Sequence, residues 1–309
     1  MKRAVVTGGA GFIGSNLCKE LISRGYDVTI LDDLSTGKKS NIESILDKKA
    51  AQFVEGSIMD VPLLQKLFHN SDFVFHLAAI PSVSRSIENP LGTHNINVNG
   101  TLNVLIAANS SHVKKVIYAS SSSVYGDTPT LPKVEVMTPD PQSPYAVSKL
   151  AGEYYCRVFS KVYNLPTACL RYFNVFGPYQ DEKSQYAAVI PRFISKVLSG
   201  NAPIIFGDGE QTRDFTFVKD AVAANVLAAE SDASGVFNIG TGYRISINEL
   251  ARVINKLAGA NLAPIHEKPR IGDIRDSLAD IKKASTFGFR PTHHIEEGIK
   301  ETIAWFKSR

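Results

Sequence analysis

The first half of the chain alternates short β-branched runs with longer segments whose apolar residues recur at helical spacing. Strands are predicted at Arg3–Thr7, Asp27–Leu31, Ala51–Glu55, Phe73–Leu77, Lys115–Ala119 and Thr167–Tyr172. Helices are predicted between them at Ile13–Ser23, Val61–Leu67, Pro90–Asn109 and Tyr145–Tyr163. Successive parallel strands need a crossover, normally a helix, and such crossovers are right-handed. The alternation therefore predicts an α/β fold, a doubly wound parallel sheet with helices on both faces.

After Tyr172 the rhythm becomes irregular. Asn174–Gln185 is rich in Pro, Gly and polar residues, and a helix at Val189–Leu198 and a glycine turn at Gly207–Gly209 follow. A strand at Val236–Ile239, a helix at Ile247–Leu257, a loop around Pro264–Asp276 and a terminal helix ending at Trp305 complete the chain. Residues 1–172 are expected to form mainly the sheet domain, and 173–309 mainly a smaller C-terminal lobe interleaved with the last strands. With no linker, repeat or low-complexity stretch, one compact unit is expected.

The hydrophobic share of 44% and charged share of 21% are ordinary for a globular protein. A net charge of +4, spread without blocks, suits a small anionic ligand and gives no case for nucleic acid. Cys18, Cys156 and Cys169 sit among apolar neighbours without metal-ligand spacing, so they read as buried free thiols in a reducing compartment, and no metal is expected. The N-terminus runs straight into a glycine motif, leaving no room for a signal peptide, and no apolar stretch approaches membrane-spanning length. A cytoplasmic location is expected.

Gly8-Gly9-Ala10-Gly11-Phe12-Ile13-Gly14 fits G-x-x-G-x-x-G between the first strand and the first helix. Glycines at Gly8, Gly11 and Gly14 let backbone approach a pyrophosphate, and the helix N-terminus offers free N–H groups and the positive end of its dipole. Asp32 follows at the end of the second strand, where a carboxylate accepts both ribose hydroxyls of an adenosine and repels a 2′-phosphate. The expected cofactor is NAD rather than its phosphorylated form.

Tyr145 and Lys149 form Y-x-x-x-K, one turn apart on one helical face. Lowering a phenol from about 10 to about 7 takes roughly 4 kcal/mol of preferential phenolate stabilisation. An ammonium and a positive nicotinamide ring could supply it together. Ser120-Ser121-Ser122-Ser123 lies at the C-terminal end of a predicted parallel strand, where ligands bind in such sheets. A hydroxyl there can relay a substrate proton to the tyrosine.

Taken in order, these segments, with Leu77-Ala78-Ala79, Asn97-Val98-Asn99-Gly100-Thr101, Val124-Tyr125-Gly126 and Arg171-Tyr172-Phe173-Asn174, resemble the extended short-chain dehydrogenase/reductases that modify nucleotide sugars. The resemblance covers essentially the whole chain and is nearest to the UDP-hexose 4-epimerases. It implies a Rossmann domain with a substrate lobe, bound NAD, a UDP-sugar substrate and a homodimer paired through the helices at Pro90–Asn109 and Tyr145–Tyr163. Tyr145 would be the base and Lys149 its electrostatic partner and a ligand of the nicotinamide ribose. Ser121 would share the proton, with Ser122 the neighbour left open. Phe12 and Ile13 would meet the pyrophosphate, and Asp32, Asp33, Ser35, Thr36 and Gly37 the adenosine ribose. Ser57 and Ile58 would lie by the adenine, while Leu77, Ala78, Ala79, Asn97 and Phe173 complete the cofactor set.

For the substrate, the resemblance implies Asn174, Arg213 and Arg270 at the diphosphate and Asp273 at the nucleotide ribose. Arginine's planar fork suits two phosphate oxygens. Ser277 stands where many glucose/galactose-restricted epimerases carry a bulky tyrosine, which implies room for an N-acetyl group. The related 4,6-dehydratases carry an acidic pair where this chain has Ser122 and Ser123, so dehydration is disfavoured. A UDP-glucuronate 4-epimerase or decarboxylase, a net dehydrogenase and a non-catalytic NAD-sensing protein stand as alternatives, the last opposed by Ser121, Tyr145 and Lys149 together.

Overall fold

The computed structural model describes residues 1–182, 188–269 and 274–309. Seven strands form one sheet: β1 (Arg3–Thr7), β2 (Asp27–Asp32), β3 (Gln52–Glu55), β4 (Phe73–His76), β5 (Lys115–Ser121), β6 (Thr167–Tyr172) and β7 (Gly235–Ile239). Their order is β3-β2-β1-β4-β5-β6-β7, and every neighbouring pair is parallel. The doubly wound parallel sheet read from the alternation is therefore the observed fold. The main helices are α1 (Phe12–Ser23), α2 (Val61–Phe68), α3 (Gly100–Ser110), α4 (Pro144–Val162), α5 (Val189–Leu198), α6 (Val218–Glu230), α7 (Ile247–Ala258) and α8 (Ile295–Lys307).

Both sheet faces are apolar because helices cover both, as a parallel sheet requires. On one face Leu17 and Leu21 of α1 and Val222 and Val226 of α6 pack with Val6, Ile30 and Ile117. On the other, Leu64 and Phe68 of α2, Val104 of α3 and Phe159 of α4 pack with Val5, Val74 and Val116. All three cysteines are buried free thiols. Among the described residues no helix is long and apolar enough to cross a membrane.

The sequence pattern missed α6. Its core residues lie on nearly every side, nine of its thirteen positions being buried, so no polar face marks the helical period. The helix expected at Pro90–Asn109 is real but interrupted: Pro90–His94 is α-helical, Asn95–Asn99 is a π turn, and α3 resumes at Gly100. Thr101 Oγ1 donates to the Asn97 carbonyl at 2.6 Å, giving that oxygen a side-chain partner inside the bulge. Strand β5 runs to Ser121, two residues past its expected end, and this extension carries the first serines into the sheet.

The last third of the chain builds small pairings around the sheet's C-terminal edge. Ile204–Phe206 pairs in parallel with Ile265–Glu267, and Thr212–Arg213 pairs antiparallel with Ile245–Ser246. Asp214, fully buried, fastens this region to the end of β7. Its carboxylate accepts from Thr241 N at 2.8 Å, Thr241 Oγ1 at 2.7 Å, Gly242 N at 3.0 Å and Ala279 N at 3.1 Å. Four donors on one carboxylate leave the backbone on either side of it a single arrangement.

Candidate active site

The chain leaves β1 towards β2 on one side and later places β4 on the other, so the loops after β1 and β4 diverge. The crevice between them is where an open parallel sheet binds ligands. A cavity of about 640 Å³ occupies it, lined by Gly8, Gly11, Phe12, Ile13 and Gly14 at one wall and by Leu77, Ala78 and Ala79 at the other.

The glycine turn fits tightly. Gly8 adopts φ +73°, and a β-carbon there would lie 2.6 Å from the Ala78 nitrogen. A β-carbon on Gly14 would lie 2.1 Å from the Gly8 carbonyl oxygen, so the first turn of α1 sits directly on the loop. Only glycine permits both the left-handed turn and this approach. The α1 N-terminus consequently faces the cavity with its unpaired N–H groups, a cradle that fits a pyrophosphate.

At the far end Asp32 is buried, with Oδ2 accepting from Ala10 N and Oδ1 from Leu34 N, each at 2.9 Å. Burial raises its carboxyl above the ordinary range against the pull of these bonds. It therefore shapes the following loop as well as lining the cavity. Asp33 Oδ1 accepts from Ser35 N at 3.0 Å and Ser35 Oγ at 2.6 Å, and Thr36 and Gly37 continue the wall. Ile58 lines the cavity, and the Ser57 hydroxyl beside it accepts from Met59 N at 3.2 Å.

The reacting end is set by α4. Ser143 caps it, its hydroxyl accepting from Ala146 N at 3.1 Å, and Pro144 occupies the first turn, so Tyr145 opens the helix at the cavity. Lys149 follows one turn on, buried, with Nζ donating to the Ala119 carbonyl at 2.8 Å and lying 5.9 Å from the Tyr145 ring centroid. Burial pushes the Lys149 ammonium down to about 8, which leaves it mostly charged at neutral pH. Burial also raises the Tyr145 phenol, opposed by a hydrogen bond from the Ser121 hydroxyl. Ser121 is thus the serine brought to the tyrosine. Ser122 lies beyond it in the 3₁₀ turn Ser122–Tyr125.

Asn97 and Phe173, two more residues of the expected cofactor set, are buried beside the cavity. Asn97 is buried, its Oδ1 accepting from Ile80 N at 2.8 Å and its Nδ2 donating to Ser148 Oγ at 3.0 Å, so it braces the β4 loop against α4. Phe173 packs with Val124, Tyr125 and Ala279 rather than along the cavity, because its backbone continues β6 into the β7 side: Phe173 N donates to the Ile239 carbonyl at 2.9 Å. Beneath the β4 loop His76 Nδ1 meets Thr7 Oγ1 at 2.8 Å, and its Nε2 meets Thr101 Oγ1 at 2.9 Å. Since Thr101 spends its proton on Asn97, it accepts from Nε2–H, which fixes the tautomer. Burial, then the Lys149 charge, pushes His76 down to about 3, so it stays neutral beside the lysine.

A second cavity of about 380 Å³, adjoining the first at Ala188, is lined by Asn174, Arg213, Ile190, Arg192, Phe206 and Phe215, among others. Asn174 Nδ2 donates to the Asp214 carbonyl at 3.1 Å and to Ser277 Oγ at 3.4 Å, bringing those predicted residues together at one edge. Arg213 Nη1 donates to the Thr212 carbonyl at 2.9 Å and the Arg275 carbonyl at 3.1 Å, and Ser277 is buried. Arg270 and Asp273 lie outside the described residues. Sequence reasoning missed Arg192 and Phe206, whose guanidinium and ring centroid are 5.3 Å apart. The apolar face of α5 was legible, but nothing in its period shows that its rim would border a ligand. Lys38, Asn41, Tyr179, Gln180 and Asp181 were likewise missed at the first cavity.

The sequence matches the NAD dependent epimerase/dehydratase family over residues 4–240. It is 40% identical over 311 residues, 99% of each chain, to a UDP-glucose 4-epimerase of Mycolicibacterium smegmatis. It is 38% identical over 319 residues, 99% of this chain and 98% of the relative, to a UDP-N-acetyl-α-D-glucosaminuronate decarboxylase of Bacillus cytotoxicus. Among solved structures, the UDP-N-acetylglucosamine 4-epimerase of Methanobrevibacter ruminantium M1, in complex with UDP-N-acetylmuramic acid, superposes with a TM-score of 0.96 at 44% identity, covering 99% of this chain and 98% of that one.

The Gly8–Gly14 packing generates a direct test. Gly14→Ala should lower NAD affinity by roughly tenfold or more, about 1.4 kcal/mol, read by titrating the purified chain. Unchanged affinity would mean that the cradle is not where the dinucleotide sits.

Proposed function

The chain belongs to the NAD-dependent epimerase/dehydratase family, and within it we propose that it interconverts UDP-hexoses at C4, accepting UDP-glucose and UDP-galactose and also their N-acetylhexosamine counterparts. The observation that carries this reading is the reacting end of the cavity. Tyr145 stands there with Lys149 and Ser121, the other phenol at that end, Tyr172, having its hydroxyl engaged by Asn225, while the acids among the described lining residues, Asp32, Asp33 and Asp181, belong to the glycine-loop end, where Lys38 Nζ meets Asp181 Oδ1 at 2.9 Å. An elimination would need an acid beside the base, and an epimerisation needs only the one base.

Gly8, Gly11 and Gly14 would hold the pyrophosphate of NAD and Asp32 its adenosine ribose, and the bound cofactor would take up the C4 hydride and give it back to the 4-keto sugar. The protein's own part is proton management and restraint. Ser121 hydrogen-bonds the 4-hydroxyl and passes its proton to Tyr145, whose phenolate the Lys149 ammonium favours. His76, being neutral, adds no competing charge. Arg213 and Asn174 hold the diphosphate while the 4-keto sugar turns about its link to UDP and presents its other face. Tyr145 then returns the proton. Binding energy spent on the nucleotide keeps the intermediate without fixing its sugar.

The N-acetyl reading rests on the small side chain of Ser277, whose hydroxyl accepts from Asn174 Nδ2. The homodimer reading is supported by apolar side chains left exposed on adjoining helices. Val147, Tyr154, Val158 and Val162 form a stripe along α4, with Ile87, Leu91 and Ile106 nearby. The UDP-glucuronate reading draws support from one observation, the presence of Arg85 in the cavity wall, where a cation could meet a C6 carboxylate.

Incubation with UDP-galactose, UDP-N-acetylglucosamine and UDP-glucuronate in parallel, resolved by NMR, should give C4 epimers of the first two without net NADH. Tyr145→Phe should cut kcat by about 10²- to 10⁴-fold with KM little changed. Turnover of UDP-glucuronate alone, or stoichiometric NADH, would overturn the proposal. Ser277→Tyr should suppress N-acetylhexosamine turnover while sparing UDP-galactose, and equal rates on both would refute the pocket account. Light scattering should return twice the 33.7 kDa chain mass, and a monomer would contradict the dimer.

A further inference from the structure

The Tyr145–Lys149 stripe continues one step further along α4, to Glu153. Residues four apart share a helical face, so the three stand in a row. The first two serve the site, but the third is a carboxylate only 3% exposed, and a buried charge is retained only with partners.

Arg171 of β6 grips it from below, Nε donating to Oε1 at 2.8 Å and Nη2 to Oε2 at 2.7 Å. Ser120 of β5, which lines the cavity, donates its Oγ proton to the same Oε1 at 2.5 Å. The guanidinium lies 4.6 Å from the Tyr125 ring centroid, and the Tyr125 hydroxyl donates to Asn238 Oδ1 of β7 at 2.7 Å. Arg171 Nη1 is buried with no hydrogen bond among the described residues. One carboxylate thus joins α4 to β5 and β6, and its cation reaches the turn Ser122–Tyr125. Ser121 lies between these two attachments, with Ser120 before it and the turn after it.

We propose that Glu153 and Arg171 are a positioning pair that holds Ser121 against Tyr145. This rests on the reading that Ser121 and Tyr145 carry the proton transfer. Packing alone does not account for the pair, because apolar residues of similar volume commonly replace a buried ion pair without loss of stability. An apolar pair would leave the Ser120 hydroxyl without its acceptor, free to turn into the cavity, and would release the end of β5. Small displacements at a reacting group are costly: about 1 Å can cost on the order of a hundredfold in rate.

The test uses the NAD-loaded enzyme and whichever nucleotide sugar the wild-type chain turns over. Glu153→Leu/Arg171→Met removes both charges together and is expected to keep melting temperature, NAD content and KM. Its kcat should fall by roughly tenfold to a hundredfold. Ser120→Ala, a small change with little bearing on folding, should lower kcat in the same direction. Glu153→Gln/Arg171→Met restores an acceptor for Ser120 and should recover kcat to within about threefold of wild type. In a Ser121→Ala background the Glu153 substitutions should change nothing further, since residues acting through one group are non-additive. Wild-type kcat in Glu153→Leu/Arg171→Met, or losses that multiply with Ser121→Ala, would overturn the proposal. Wild-type turnover judges the assigned reaction, and the ratio of variant to wild type judges the pair.

Discussion

The site depends on the divergence of the chain between β1 and β4. Those two strands pair in parallel at the middle of the sheet, yet the loops leaving them run to opposite sides. Neither loop can cover the gap, so a crevice persists at their carboxyl ends whatever side chains line it. The first turn of α1 must then enter that gap at backbone distance. Gly8 supplies the left-handed turn, and Gly14 lets the helix rest on the Gly8 carbonyl. The wall on the β4 side is set by a different device. Asn97, in the π turn, holds Ile80 and Ser148 at once and so couples that wall to α4.

Around this crevice, buried polar groups are placed at strand ends and satisfied in place. Lys149 spends one donor on Ala119, Asp32 accepts from Ala10 and Leu34, and Asp214 accepts from four donors at the substrate side. Each would be costly to bury alone, and each is satisfied by the neighbouring groups that it bonds. The outcome is a preorganised set of dipoles and charges in a partly enclosed cleft, where they act more strongly than in bulk water. Burial pulls Lys149 and Tyr145 towards their neutral forms. For the phenol, the Ser121 hydroxyl opposes that pull without cancelling it.

Much of this was legible in one dimension because the relevant groups are close in sequence. Gly8, Gly11 and Gly14 lie within one turn and one helical start, and Tyr145 and Lys149 lie one helical turn apart. Local geometry alone puts such residues together. The same reasoning left Ser121 and Ser122 undivided, because choosing between them requires knowing that β5 extends to Ser121 before the 3₁₀ turn begins. Ser57, Asn97 and Phe173 came from the resemblance alone, and only the tertiary structure shows their bonds to Met59, Ile80 and Ser148 and the packing against Tyr125. Sequence reasoning overlooked α6, whose burial on nearly all sides erases the amphipathic signal.

The sequence by itself determined the parallel α/β order, the glycine turn, the acid after β2 and the Tyr145–Lys149 stripe. These follow from period, turn chemistry and helical spacing, which act over a few residues. Tertiary structure alone decided that Ser121 meets Tyr145, that Glu153 is gripped by Arg171 and Ser120, and that Asn174, Arg213 and Ser277 converge beside a second cavity. Those meetings join residues tens to more than a hundred positions apart. No local rule specifies them, because they are settled by which strands lie side by side and by which buried polar groups remain to be satisfied there.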